Sequence, residues 1–132
     1  MSSRGTFARN GHATTDEYVT VETLESGAKV LEGKNHKHSL PDYSHSPNAV
    51  YIKKNPDGTF REIRIYGKDG YPIIEIGYHP ESFLNKSNKK DLIWHYILFG
   101  PNFDRGLHPS LIDNNIKVKY AKYLKEAGYD QW

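Results

Sequence analysis

The residues of this chain that could do acid–base chemistry are concentrated in one stretch. Of its seven histidines, three lie in the polar string NHKHSLPDYSHSPN (His36, His38 and His45), and His79 ends a strand-like segment further on. Imidazole gives and takes protons near neutral pH. Arg64 lies between these histidines in the sequence, and a guanidinium matches the oxygens of a phosphate. The stretch therefore indicates an acid–base or phosphate site on a small sheet.

The same histidines raise the question of a metal. Imidazole is a good zinc ligand, but the spacing of His36, His38 and His45 matches no closed ligand set. The chain has no cysteine, which excludes disulfides, thiolate nucleophiles and cysteine-based zinc or iron–sulfur sites. We therefore predict no metal site and no cofactor.

Length and composition indicate one small folded domain. The 132 residues fit a single domain, and ten Tyr, five Phe and two Trp favour a modest core built on aromatic rings. Lys and Arg outnumber Asp and Glu by 18 to 16. This weakly basic balance permits a polyanionic partner without demanding one.

The ends and hydropathy of the chain bear on its location. No apolar run approaches the roughly 20 residues that cross a membrane, so we expect no membrane partner. The first residues, MSSRGTFARNGHATTDEY, contain no hydrophobic segment and predict no signal peptide. We interpret residues 1–16 as a flexible arm and residues 17–132 as the domain.

The strand signals are strongest in the middle of the chain. Turns rich in Asp and Gly, at Asn55–Gly58 and Gly67–Gly70, separate alternating segments and predict a meander. The predicted strands cover residues 49–54, 60–66, 72–78 and 92–98. Residues 17–32 predict two shorter strands around a turn at Ser26–Gly27.

The end of the chain predicts a helix. Apolar residues recur at helical spacing from about Leu111 to Ala127, and Gly128 is a suitable C-terminal stop. The fold class expected is therefore α+β: an antiparallel, twisted sheet of about four to six strands with the C-terminal helix packed on one face.

A set of motifs resembles a known group of domains. The set comprises H-S-L-P-D-Y-S-H-S-P-N-A-V-Y from His38 to Tyr51, D-G-T-F-R-E-I-R-I-Y from Asp57 to Tyr66, and I-G-Y-H ending at His79. It is similar to a pattern in toxin-like domains of phage minor head proteins and bacterial polymorphic toxins. Those domains resemble the barnase–EndoU–colicin–RelE group of metal-independent ribonucleases. The resemblance covers residues 33–99.

The resemblance implies roles for four residues. Arg64 would stabilise phosphate charge, His79 and His95 would be the acid–base pair, and His38 would line the same cleft. The late strand contains His95 alone, because Ile97 occupies the place where related domains often have a second histidine.

Metal-free RNA cleavage needs a base for the 2′-hydroxyl, an acid for the leaving oxygen and a cation for the phosphate. Tyr66 or Tyr78 could add a hydrogen bond or a stacking surface for a base. Structural interpretations stand beside these roles. His95 would be a hydrogen-bonded core residue, His79 a surface residue at a strand end, and Arg64 part of the solvated sheet face.

Two functional hypotheses follow. The first is a ribonuclease-like toxin domain of phage or bacterial origin, with RNA as its substrate. The second is a non-catalytic phage accessory or inhibitor protein that binds a host or phage protein or a nucleic acid. Either would act in the host cytoplasm or on the virion.

Overall fold

A computed structural model describes residues 7–9, 12–13, 18–33, 40–81, 84, 91–100 and 108–132. These residues form strands β1 (Phe7–Arg9), β2 (His12–Ala13), β3 (Tyr18–Thr23), β4 (Lys29–Gly33), β5 (Tyr43–Ser44), β6 (Val50–Lys54), β7 (Phe60–Tyr66), β8 (Pro72–His79), β9 (Ile93–Leu98) and β10 (Ser110–Leu111). Two short helices follow, α1 (Asn114–Lys119) and α2 (Ala121–Ala127). None of the helices in this described part is long and apolar enough to cross a membrane.

The central meander is confirmed. Strands β6, β7, β8 and β9 pair antiparallel in chain order, within a residue or so of their predicted bounds. The turns that join the first three contain Gly58 and Gly70, whose φ values of 88° and 89° lie in the left-handed region. Glycine adopts this region without steric cost, which is why the Asp-Gly signals marked the turns correctly.

The main sheet is larger than expected. Its order is β10-β9-β8-β7-β6-β4-β3, so the described residues give seven strands where four to six were predicted. The predicted hairpin of β3 and β4 is confirmed. Its strand β4 then pairs parallel with β6, through Lys29 opposite Tyr51 and Val30 opposite Ile52. The sheet is therefore mixed, although mostly antiparallel.

Part of the N-terminal segment is also strand. Within residues 1–16, interpreted from the sequence as a flexible arm, β1 pairs with both β2 and β5 in a small second sheet. The pairing of Phe7 with Ser44 ties the described part of this segment to the loop before β6. The sequence interpretation missed these strands because each is only two or three residues long.

One face of the main sheet packs against the helices and forms the core. Its buried residues include Ile63, Ile74, Ile76 and Trp94. The Trp94 ring stacks on Tyr78, with a centroid distance of 4.5 Å. Stacked rings of this kind bury much apolar area, which explains how a hydrophilic chain forms a core.

The C-terminal helix is shorter than predicted and is broken. The Asp113 side chain accepts a hydrogen bond from the Ile116 amide at 3.0 Å, so Asp113 is the N-cap. The helix α1 therefore begins at Asn114, whereas the sequence predicted a start near Leu111. A break at Tyr120 separates α1 from α2, which ends as predicted at Gly128. Ile116, Tyr120 and Leu124 face the core, which confirms the predicted apolar side.

The last helix is tied to the first hairpin. The Glu126 carboxylate accepts hydrogen bonds from the Ser26 hydroxyl at 2.6 Å and from the Ser26 amide at 3.1 Å. Ser26 lies in the turn between β3 and β4, so this contact joins residues 100 positions apart in the chain.

Candidate functional site

The sheet face opposite the helices carries rows of polar residues. Residues paired directly across a ladder share a face. One row runs Lys53, Glu62, Gly77 and His95 across β6, β7, β8 and β9. Strand alternation therefore places apolar side chains in the core and their polar neighbours on this second face.

A cleft of about 520 Å³ opens on this face. The residues that line it include Arg61, Glu62, Arg64, Gly77, His79 and His95. Two neighbouring strands thus bring together the two histidines implied as an acid–base pair, and a third strand supplies the implied arginine.

The two imidazoles contact each other edge to face. The ring centroids of His79 and His95 are 4.6 Å apart, with an interplanar angle of 89°. Each ring is oriented through Nδ1 by a backbone carbonyl: Pro80 at 3.0 Å for His79 and Ile93 at 2.8 Å for His95. A carbonyl only accepts, so each Nδ1 carries the hydrogen and each neutral ring keeps its lone pair on Nε2.

Gly77 provides the space in which these nitrogen atoms meet. A Cβ built on Gly77 would lie 2.8 Å from Nε2 of His79 and 3.0 Å from Nε2 of His95. Both lone-pair nitrogens therefore pack closely over the backbone of Gly77 on the cleft floor. Any larger residue at position 77 would displace the rings.

Glu62 is a candidate site residue that the sequence interpretation missed. Its Oε2 lies 3.9 Å from Nε2 of His79, and 13% of its side chain is exposed. Burial, reinforced by the charge of Glu75, raises the pKa of Glu62 to about 7, against the opposing effect of Arg64 and other cations. The available signal was strand alternation, which places Glu62 on the same face as Arg64.

His95 is buried and its environment favours the neutral ring. Burial lowers the pKa of His95, and the neighbouring His79 lowers it further, while the hydrogen bond to the Ile93 carbonyl opposes the change. Near neutral pH the site therefore contains a neutral His95 imidazole and a Glu62 carboxyl group that is protonated in a fraction of the molecules.

Arg64 lines the cleft but is enclosed. It is 2% exposed, and its Nη2 donates to the Glu75 carboxylate at 2.8 Å. Its Nη1 donates to the carbonyls of Leu40 and Pro41, at 3.3 and 3.1 Å. In this conformation a phosphate reaches the guanidinium only by displacing these partners. The implied phosphate role of Arg64 stays a prediction, beside a clear structural role.

Two other cations are better placed for an anion. Arg61 is the extra residue of a β-bulge, because Lys53 pairs with Glu62 while Lys54 pairs with Phe60. A bulge redirects side chains, and here Arg61 lines the cleft. Lys53 lines it too, and burial lowers the pKa of its ammonium group, opposed by the charge of Glu62.

The structure does not bring the two tyrosines to the cleft. Tyr66 is buried in a second apolar cluster with Tyr51, and its hydroxyl donates to the Pro41 carbonyl. Tyr78 lies on the core face against Trp94. His38, implied to line the cleft, lies outside the described residues.

The segment that contains His36, His38 and His45 gives little further evidence about a metal site. His36 and His38 lie outside the described residues, and the His45 ring packs edge-on against Tyr43 at 5.3 Å. Among the residues that the structure describes, no group of three His, Asp or Glu side chains is arranged to hold a metal ion.

Comparison with other proteins does not assign the chain to a group. No protein-family model, no curated protein sequence and no solved structure matches it.

Proposed function

We propose that the protein is a ribonuclease-like, toxin-type domain that cleaves RNA without a metal ion. The observation that carries this proposal is the convergence of the His79 and His95 Nε2 atoms above Gly77, beside the Glu62 carboxyl. Two proton-transfer groups in one open cleft are what 2′-hydroxyl attack on a phosphodiester requires. The motif resemblance points to the same reaction.

The protonation states support an assignment of roles. Neutral His95 takes the proton of the 2′-hydroxyl, whose oxygen attacks phosphorus. The pair of His79 and Glu62, separated by 3.9 Å, gives a proton to the leaving 5′-oxygen as its bond to phosphorus breaks. The products are a 2′,3′-cyclic phosphate and a 5′-hydroxyl, so protons and electron pairs balance without a redox partner.

Arg61 and Lys53 supply the positive charge in this mechanism. Both line the cleft, and neither forms a salt bridge with another described residue. Charge developing on the phosphate oxygens is stabilised by such preplaced cations. Arg64 then acts through position, because it holds Glu75 and the Leu40–Pro41 segment over the sheet.

The second candidate function is binding without cleavage, by an accessory or inhibitor protein whose partner is a nucleic acid or a host protein. The enclosure of Arg64 favours it, since the arginine implied to contact phosphate is instead held by Glu75 and two carbonyls. This candidate requires the cleft to bind an anion while its imidazoles transfer no proton.

The deciding experiment is cleavage of a defined RNA oligonucleotide in EDTA by the purified chain. We expect cleavage products ending in a 2′,3′-cyclic phosphate. His79→Ala and His95→Ala should each lower the rate at least about 100-fold, in line with the contribution of general acid–base groups. His45→Ala is the matched control, because His45 is exposed and does not line the cleft.

Two results would reject the proposal. RNA that stays intact at micromolar protein, while still bound, would establish the binding candidate. Cleavage that survives in the His79→Ala/His95→Ala double variant at the wild-type rate would place the activity elsewhere or in a contaminant.

A further inference from the structure

A second cavity begins where the candidate site ends. Strands β4 and β6 pair only through Lys29 with Tyr51 and Val30 with Ile52, although β4 continues to Gly33 and β6 to Lys54. A cavity of about 630 Å³ lies against both strand ends. We call this space the fork, and define it by Val21, Leu31, Gly33, Leu40, Lys53 and Asn55 among its lining residues.

The fork is held open by the neighbours of its two strands. β4 stays paired with β3 as far as Gly33, opposite Tyr18, and β6 stays paired with β7 through Lys54, opposite Phe60. Each strand end is thus fixed on its outer side. A cavity with walls of this kind is preformed, as ligand sites usually are.

The chemistry of the fork suits a flat group with polar edges. Leu31 and Leu40 are buried residues that give it an apolar wall. Beyond Val30 and Ile52 the facing sides of β4 and β6 form no ladder with each other, so backbone amide and carbonyl groups of both strands face the fork. A nucleobase has an apolar face and an edge of hydrogen-bonding groups, so it matches both surfaces.

The fork adjoins the cleft. Lys53, Lys54, Asn55 and Pro56 line both cavities, so the end of β6 and the turn after it form a shared wall. A phosphodiester seated beside Lys53 would therefore have the imidazoles on one side and the fork on the other.

We propose that the fork binds the base of a nucleotide adjacent to the phosphate that the cleft holds. This inference rests on the proposed function and adds a base-binding subsite to it. The occupant is a base of a single-stranded RNA segment, because only an unpaired base can enter a space between two strands.

The test uses 2′-O-methyl dinucleotides, which lack the attacking hydroxyl and stay intact, with inorganic phosphate as the second probe. Amide chemical shifts are followed by NMR on the full chain. We expect the dinucleotides to shift the amides of residues 31–33, which line the fork and not the cleft, as well as those near His79. Phosphate alone should shift only the residues of the cleft.

A matched pair of variants sharpens the result. Val21 lines the fork and Val19, on the same strand, does not; they are 53% and 42% exposed. Val21→Glu places a carboxylate at the mouth of the fork and should weaken dinucleotide binding about tenfold. Val19→Glu should leave it unchanged, and phosphate binding should be equal in both variants.

The outcomes separate this inference from the proposed function. If RNA is cleaved but dinucleotides shift only cleft amides, and Val21→Glu binds them as the wild type does, the fork is not a subsite. If RNA stays intact and neither dinucleotide nor phosphate binds, the proposed function fails and the subsite fails with it.

Discussion

Gly77 lies directly opposite His95 in the ladder between β8 and β9, and a Cβ at Gly77 would lie 3.0 Å from the His95 Nε2 atom. The distance to Nε2 of His79 would be 2.8 Å. The absence of a side chain at Gly77 therefore lets both imidazole Nε2 atoms approach the same point of the β8 backbone. Gly77 is a positioning residue of the candidate site.

The first prediction tests that role. Gly77→Ala should push both rings from their positions and lower RNA cleavage about 100-fold, since displacements near 1 Å can cost this much. Gly67→Ala is the control, because its Cβ would meet only flexible side-chain atoms outside the cleft. Imidazole ¹⁵N shifts should change in the first variant and not in the second. Unchanged shifts in Gly77→Ala would remove the steric argument.

The second prediction concerns the enclosed ion pair. Arg64→Ala removes the guanidinium that pairs with the buried Glu75 carboxylate, which should cost about 3–5 kcal/mol of unfolding free energy in urea titrations. Lys54→Ala breaks the exposed pair with Glu22 and should cost no more than about 1 kcal/mol. Equal urea midpoints for the two variants would show that Arg64 does not hold the structure together.

The third prediction is a dependence of stability on pH that passes through Glu62. Its pKa is raised from 4.5 to about 7 on folding. The native state therefore binds the proton more tightly, and the stabilisation, up to about 3 kcal/mol, is complete below pH 4.5 and lost as the pH rises through 7.

Glu62→Gln removes this titration, so its stability relative to wild type should rise between pH 4.5 and pH 7. The difference in stability between Glu62→Gln and wild type also removes the contribution of His95, which has the opposite sign. Because the pKa of His95 is lowered on folding, His95 stabilises the fold only above the pKa that it has in the unfolded chain. Glu25→Gln, at an exposed position, is the control, and its free energy of unfolding should change with pH in the same way as that of the wild type. A constant difference between Glu62→Gln and wild type would contradict a raised pKa.

The fourth prediction is the shape of the pH–rate profile. Cleavage requires neutral His95, so the rate should rise as the pH passes the lowered pKa of that ring. It should fall again near pH 7 as the Glu62 carboxyl loses its proton. Glu62→Gln removes this proton donor, so the rate should drop and the falling limb should no longer follow the Glu62 titration. A profile with one limb only would exclude the two-group mechanism.

The sequence predicts much of this fold because local sequence signals specify the strands and turns of the meander. The Asp-Gly turns ending in Gly58 and Gly70 need left-handed backbone, and the alternation between them separates core from cleft. The parallel pairing of β4 with β6 carries no such local signal. It depends on contacts between distant segments, so the fork between these strands was not predicted.

The site was predictable in part for the same reason. His79 and His95 end up on neighbouring strands because the meander fixes their register. The part played by Glu62 depends on burial and on the charge of Glu75, which a single sequence does not reveal. The enclosure of Arg64 depends on the Leu40–Pro41 segment crossing the sheet, a tertiary contact with no motif.

The hydrogen bonds between Ser26 and Glu126 also bear on how the chain folds during synthesis. The hairpin of β3 and β4 can form from local contacts, but the carboxylate that fastens its turn lies 100 residues further along the chain. Contacts of such long sequence separation form late and slow the completion of a fold. During synthesis this hairpin would therefore stay unfastened until α2 has been made and has packed against it.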